Sequence, residues 1–420
     1  MSDQTDQTDN YDIAIIGGGM VGISLALLLA QQKRWKIVVL ESQPMEVAAV
    51  PEYSPSFDAR STALSWSSRK IFQSLGIWSQ LQRCASAIST IHVSDRGHFG
   101  LTRIQAQEAG VEALGYVVEN NWLGSVLLER ATNTDMHIRG AVEVTAIKAL
   151  ASSMRLTIEA KQGAGQGTEI IHSKLLISAD GAGSCSAQKL GIQQQTQSYG
   201  HSGIVANISL QKPHNGVAYE RFTDRGPMAL LPLSDFQNRP RSALVWTQPS
   251  ELAEPLMAAD DETFLAELQE RFGHRLGQFM GVGDRVSYPL ALTTSEEQVR
   301  RRLVVVGNAA HSLHPVAGQG FNLSLRDVAV LANCLADSPE GADIGALEPL
   351  QLYQQQQSAD QRNRLIFSHN LPKLFGLSSP LVALGRNSGL LMMDLILPLR
   401  KQFARFGMGL DNSEVDYGSL

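Results

Sequence analysis

After a polar, acidic start ("MSDQTDQTDN"), the chain turns abruptly apolar. "YDIAIIG" (11–17) is a strand-length apolar run that stops at glycines. "MVGISLALLLAQQ" (20–32) then reads as a helix dominated by Ala and Leu, and "KIVVLE" (36–41) as a second strand. Strand, glycine turn, helix and strand in this order predict a βαβ unit, whose crossover makes the strands parallel. The segment 88–106 predicts a hairpin turning near Arg96-Gly97. Residues 141–181 read as alternating strands around a Gly-rich turn at 163–167. Short strands recur from 203 to 248 ("GIVANISL", "VAYERF", "MALLPL", "SALVWT"), which predicts a separate, mainly antiparallel sheet. "DETFLAELQERFG" adds a helix, "RLVVVG" returns to a parallel-type strand, and from 322 onward the pattern is helical, punctuated at Pro372, Pro380 and Pro398.

Composition narrows the class. With 420 residues, 43% hydrophobic and 18% charged, the chain can bury a large core. Net charge is −6 and no Lys/Arg run offers a phosphate-neutralising stripe, so no nucleic-acid partner is expected. Cys84, Cys185 and Cys334 are far apart, which fits a reducing, cytoplasmic setting and neither a disulfide framework nor a zinc site. Residues 13–32 carry no charge, yet Asp3, Asp6, Asp9 and Asp12 precede them, the wrong sign for a signal peptide. Gly17-Gly18-Gly19 also interrupts the run, so a buried strand and helix are expected rather than a membrane span. Residues 1–10, with their repeated D-Q-T, are expected to be a disordered tail.

Three glycine motifs carry the chemistry. Gly17-x-Gly19-x-x-Gly22 follows a strand, opens a helix, and is followed by Glu41 at the end of the next strand. That context makes it a dinucleotide fingerprint: a tight turn at Gly17, close backbone approach at Gly19, and helix–strand packing at Gly22. The helix N-terminus faces the pyrophosphate and Glu41 the ribose hydroxyls. "ISADGAGS" (177–184) and "VVVGNAAH" (304–311) each end a strand; alone, each reads as a plain strand-to-helix turn. Together with the fingerprint they resemble the flavin-dependent aromatic hydroxylases with a single FAD-binding domain. "FDARSTALS", "HVSDRGHFG", "YERFTDRGPMALLPLSD", "SALVW", "YPLALT" and "GNAAHSLHPVAGQGFNLSLRDV" are similar to the ubiquinone-biosynthesis subgroup, and the likeness runs from about 11 to 410.

The resemblance implies an α/β chain (α+β overall). A Rossmann-like FAD-binding domain (11–82, 111–192, 294–336) interleaves with a mainly antiparallel substrate domain (83–110, 193–293), and a helical C-terminal section spans 337–420. It implies FAD as cofactor and NAD(P)H as transient co-substrate, since no second complete fingerprint exists. Arg60 is placed near the pyrophosphate or isoalloxazine, Asp180-Gly181 at FAD and NAD(P)H, and Gly307-Asn308 at the ribityl chain. The Pro315–Gly320 loop, with His314, Pro315 and Gly318, is placed at the reacting carbon. Gly320, Phe321 and Asn322 are expected at the flavin pyrimidine edge, where a helix begins near Phe321–Asn322. The implied reaction hydroxylates a polyprenylated methoxyphenol para to its hydroxyl, giving a benzoquinol. Another ring position in the same pathway, and a non-enzymatic FAD-stabilised role in an enzyme assembly, remain alternatives.

The residue chemistry is compatible. Inserting one oxygen atom into a phenol needs activated O2, which a reduced flavin supplies as a C4a-hydroperoxide and side chains cannot. Asn308 stands where the wider family has Asp; a carboxamide still hydrogen-bonds a hydroxyl, so a tolerated ribityl contact is expected. His311 and His314 lack a recognisable third ligand, so hydrogen bonds shaping the flavin loop are expected and no metal. No general base is identifiable. "GHSG" (200–203) lacks the spacing of a nucleophile elbow. Residues 371–410 are apolar with five basic and one acidic residue, and their longest uncharged run is twelve residues, too short to span a bilayer. Helices packed onto the flavin domain are expected there. An interfacial surface serving a membrane-dissolved substrate, or a partner in an enzyme assembly, is the alternative.

Overall fold

The computed structural model describes residues 9–45, 60–161, 168–314, 318–377 and 379–411. Its first sheet has a parallel centre, in the order Leu303–Val305, Thr168–Ser178, Asp9–Ile16, Ile37–Leu40, His137–Arg139. Met154–Ala160 and Val142–Ala149 extend it antiparallel. Both faces are covered, which explains the unbroken apolar runs. Ile13, Ile15, Ile37, Val39 and Ile177 share a core with helices Met20–Ala30 and Gln319–Ala336, while Ala14, Val38, Leu40 and Leu176 pack with Leu156 and Ile158 on the other side. Every residue of Met20–Ala30 from Gly22 to Leu29 is buried. Its lack of charge therefore reflects enclosure within the protein, as expected.

Two boundaries differ from the sequence reading. The first strand begins at Asp9, and Asp9 and Asn10 pair with Ile171 and His172, so the expected tail of 1–10 is too long by two residues. Cross-strand pairing outweighs local polarity there; residues 1–8 lie outside the described residues, as does the turn expected at 163–167. The helix expected to start near Phe321–Asn322 starts at Gln319.

A second sheet of nine strands runs His311–Ser312, Val286–Ser295, Gln194–Leu210, Arg239–Pro249, Gly226–Phe236, Val217–Thr223, Thr90–Asp95, Leu101–Gln105, with Phe279–Val282 beside Gln194–Leu210. It is antiparallel except where Val217–Thr223 meets Thr90–Asp95. One face buries Ile204, Ile208, Leu244 and Trp246 against Phe264, Leu268 and Phe272 of helix Asp261–Phe272. Its last short strand, His311–Ser312, lies inside the last segment expected for the flavin domain (294–336) and pairs with Thr293 and Thr294, so hydrogen bonds cross the expected boundary at 293/294. Ser61–Ser65, Gly115–Glu119 and Ser86–Ile88 form a small third sheet.

The C-terminal helices do not simply cover the flavin domain. Leu347–Gly376 packs on Gln319–Ala336, but Pro380–Leu395 lies along the second sheet's edge strand. There Asn387 Oδ1 accepts from Gly100 N at 2.8 Å, Asp394 Oδ1 accepts from Arg103 N at 2.8 Å, and Arg386 Nε meets Asp95 Oδ2 at 2.8 Å. These polar anchors, together with Leu390 packed against Phe222 and Phe375, set the helix's position. Leu397–Gly407 then turns back at 98° to it, and no single helix among the described residues is long and apolar enough to cross a membrane. Leu381 (81% exposed), Leu384 (56%) and Leu395 (72%) face outward.

Arg241 and Glu119 form a fully buried ion pair between the second and third sheets, with Arg241 Nε also donating to Ser234 O at 2.7 Å. Removing one partner strands a buried charge, which costs about 3–5 kcal/mol. Glu119→Ala is expected to lower the free energy of urea unfolding by that amount; a loss below about 1 kcal/mol would show the pair does not hold the sheets together.

Candidate functional site

The three glycine turns meet at the C-terminal ends of the parallel strands. Backbone bonds zip those ends: Gly17 N donates to Leu40 O (2.8 Å), Ala179 N to Ile16 O (2.7 Å), and Val306 N to Ser178 O (2.9 Å). Gly17 has φ +106°, and a Cβ there would lie 2.4 Å from the Ala179 carbonyl oxygen. A Cβ on Gly22 would lie 2.0 Å from the Gly17 carbonyl oxygen, so this helix start admits glycine alone. Gly19 faces open space, which is what close approach of a pyrophosphate requires. These features fit an FAD diphosphate over the N-terminus of Met20–Ala30.

Other expected cofactor residues are already engaged. Glu41 accepts from Gly18 N (2.7 Å), Gln43 N (2.9 Å) and Ser42 Oγ (3.1 Å), so it fixes the fingerprint turn with lone pairs to spare for a ribose. Asp180 accepts from Ser178, Ser184 and Ser186 hydroxyls and from Ser186 N (3.0 Å). That serine cluster makes Asp180 the staple of the turn into helix Cys185–Lys189, while Gly181 beside it faces open space. Asn322 uses its whole carboxamide internally: Oδ1 accepts from Ser65 N and Ser68 Oγ, and Nδ2 donates to Ala63 O and Gly318 O. It therefore offers a ligand only its backbone N–H, and its side chain locks strand Ser61–Ser65 to the helix start.

Gly307 sits against Val21 of the fingerprint helix, and Asn308 opens into a cavity of about 1160 Å³. Among the described residues the Asn308 side chain has no partner, so its carboxamide is available to a bound hydroxyl. Gly318, in the left-handed region (φ 60°), caps helix Gln319–Ala336; with Gly320 and Phe321 it lines the same cavity. The unsatisfied N–H groups of that first turn give this wall partial positive charge. Arg60 is exposed, and its charge counters the burial that raises the Tyr288 phenol. Pro315 lies outside the described residues.

His314 departs from the catalytic placement. Ser312 and Leu313 line the cavity, but the His314 ring packs edge-on against Tyr199 (centroids 5.4 Å). Burial, and then the charge of His201, push its imidazole down to about 4, so it is neutral at physiological pH. His311 instead bonds Asp327 Oδ2 at 2.6 Å, both groups fully buried, and Gln361 Nε2 donates to the other oxygen (3.1 Å). This ties the strand before residues 315–317 to the helix after them. Among the described residues no His/Cys/Asp/Glu cluster could hold a metal.

Beyond the cradle the cavity runs beneath the C-terminal helices. Its walls are the open face of the second sheet (Ile91, Val93, Ala218, Ala229, Val245) and a roof including Phe367, Phe375, Leu390 and Phe403. Among the described residues two charged ones line it, Glu220 and Arg386. The surface Glu220 retains faces the cavity, and burial alone pushes its carboxyl up to about 8. Sequence reading missed this residue, because a Glu in an alternating strand looks like a solvent-facing position.

Three comparisons bear on this geometry. The profile described as "FAD binding domain" matches residues 10–358. Ubiquinone hydroxylase UbiL of Rhodospirillum rubrum is 35% identical over 402 residues, covering 95% of this chain and 89% of the relative. Human mitochondrial ubiquinone biosynthesis monooxygenase COQ6 is 29% identical, covering 94% and 92%. The crystal structure of p-nitrophenol 4-monooxygenase PnpA from Pseudomonas putida DLL-E4 superposes with a TM-score of 0.76 at 17% identity, over 97% of this chain and 100% of that one, which is a likeness of fold. The glycine cradle, the profile spanning most of the chain and the well-covered relatives agree: this chain belongs to the FAD-dependent aromatic hydroxylases with a single FAD-binding domain, in the ubiquinone-hydroxylase group, and is a flavoprotein monooxygenase.

Proposed function

We propose that this protein hydroxylates a 2-polyprenyl-6-methoxyphenol to the 1,4-benzoquinol in ubiquinone biosynthesis. The observation that carries the reading is the continuous cavity. Asn308, Gly318 and Phe321 line it together with an apolar sheet face and an aromatic-rich helical roof. A polar flavin edge joined to an apolar hall suits a phenol head bearing a prenyl tail. The relatives named as ubiquinone hydroxylase and ubiquinone biosynthesis monooxygenase support the same choice.

The balance is NAD(P)H, H⁺, O2 and the phenol giving NAD(P)⁺, water and the quinol. Bound and reduced FAD supplies the activated oxygen. The protein's residues do the rest. The Gly17–Gly22 turn holds the diphosphate through backbone N–H groups, and Asn308 hydrogen-bonds the ribityl chain. The first turn of Gln319–Ala336 stabilises negative charge at the pyrimidine edge. The apolar walls exclude water from the reacting ring. NAD(P)H binds transiently near Gly181, on the exposed side of the Asp180 turn.

Two outcomes check this. With labelled O2, NAD(P)H and 2-geranyl-6-methoxyphenol, the product should carry one labelled oxygen, on the carbon para to the hydroxyl. Label at another ring carbon would move the reaction to a different step, and unlabelled product or none would refute hydroxylation. Asn308→Ala should weaken FAD binding by about threefold to tenfold, the worth of one or two ordinary hydrogen bonds. FAD titration giving wild-type affinity would remove Asn308 from the ribityl contact.

A further inference from the structure

Strand Val217–Thr223 sends alternate residues to opposite faces of the second sheet. Tyr219 packs against His92 and Phe272, and Arg221 Nε donates to Arg271 O at 3.2 Å, on the side covered by helix Asp261–Phe272. Ala218, Glu220 and Phe222 point the other way, into the cavity. Register puts Val93 directly beside Glu220 on one neighbouring strand and Ala229 on the other. Beyond these lie Thr102 and Val245. A lone carboxyl thus stands in an apolar sheet face, and among the described residues nothing donates to it or pairs with it.

The charges facing it are few. Strand Thr90–Asp95 brings Asp95, two positions along. Helix Pro380–Leu395 brings Arg386, whose Nε meets Asp95 at 2.8 Å and whose Nη1 donates to Leu377 O at 2.8 Å. Asn387 Nδ2 donates to the same Asp95 oxygen at 3.0 Å. Strand Gly226–Phe236 and helices Leu347–Gly376 and Leu397–Gly407 present no charged residue to the cavity. Among the described residues lining the cavity the one cation, Arg386, already pairs with Asp95 and bonds the main chain, so none of them is an unpaired cation for an anionic ring substituent.

We propose that Glu220 is the polar anchor of the substrate ring: its carboxyl hydrogen-bonds an oxygen of an uncharged phenol, and its presence excludes ring acids. This rests on the hydroxylase reading above and adds the residue that selects its substrate. An unpaired carboxylate in such surroundings is costly, so the group is held as the neutral acid, with one O–H to donate and a carbonyl to accept. A phenol with an adjacent methoxy group offers the complementary pair. A ring carboxylate would enter an apolar wall with no unpaired cation among the described lining residues to meet it. The sign with pH follows: burial raises the Glu220 carboxyl to about 8, so the donor is present below that value and lost as pH rises through it.

The test uses the FAD-loaded enzyme, with dissociation constants read from perturbation of the flavin absorbance. The probes are 2-geranyl-6-methoxyphenol and 3-geranyl-4-hydroxybenzoate. Wild type should bind the phenol at least about tenfold tighter than the benzoate, and its phenol affinity should fall above pH 8. Glu220→Gln should hold the phenol within about threefold of wild type and show no such fall, while Glu220→Leu should lose about tenfold with FAD content unchanged. Glu220→Leu binding the phenol like wild type, or wild type binding both probes equally, would overturn the proposal. If the Leu variant does not load FAD, the Gln variant decides: pH profiles parallel to wild type also overturn it. If neither probe perturbs the flavin or stimulates NAD(P)H oxidation in wild type, the hydroxylase reading itself fails, and this inference with it.

Discussion

A side chain on Gly22 would have to occupy the place of the Gly17 carbonyl oxygen, 2.0 Å from where its Cβ would sit. That contact brings the start of helix Met20–Ala30 onto the end of the first strand, and the site is built out from it. Because the helix start is pinned there, its N–H groups point past the strand ends, where Ala179 and Val306 are already zipped to the neighbouring strands. Gly307 then packs on Val21 of the same helix, which places Asn308 at the mouth of the cavity. The cofactor cradle and the substrate hall thus share one geometric origin.

The roof needs a different kind of restraint, since apolar helices slide. Asp360 supplies it by bonding both Arg326 Nε (2.7 Å) and Arg364 Nε (2.9 Å), all three side chains buried. Arg364 also donates to Gln319 Oε1 and to Phe406 O (2.6 Å), and pairs with Asp411. Burial opposes the Asp360 charge, yet Arg326 and Arg364 outweigh it and hold its carboxyl below the usual range. Such a network is a poor source of net stability, but its directional bonds fix one register. Here it registers the long helix and the C-terminal segment against Gln319, the first residue of the helix at the flavin edge. A shift in the roof would therefore be felt at the reacting end.

What the sequence disclosed follows from which interactions are local. The fingerprint, the hairpin at 88–106 and the recurring strands were legible because glycine spacing and alternation act over a few residues. Asp180 and Asn322 were legible as positions but not as roles: serines two to six residues away and a strand more than 250 residues away decide what their side chains bond. His311 and His314, three apart, part company because one finds Asp327 and the other Tyr199. Glu220 was invisible, since only pairing across the sheet shows that its face is roofed rather than wet. The C-terminal helices were recognised as apolar, but their place over the second sheet depends on polar anchors at Asn387, Asp394 and Arg386.

The central claim is that one chamber joins the flavin edge to a hall for the prenyl tail beneath those helices. Gly389 lines that hall, and a side chain added there would enter open space. Measuring kcat/KM for 2-prenyl-6-methoxyphenols of increasing tail length in wild type and Gly389→Phe tests it most directly. The account predicts that the variant keeps near wild-type turnover of the shortest tail and loses about tenfold or more on the longer ones, as a filled cavity rejects what it cannot bury. Equal losses at every length, or none, would contradict it.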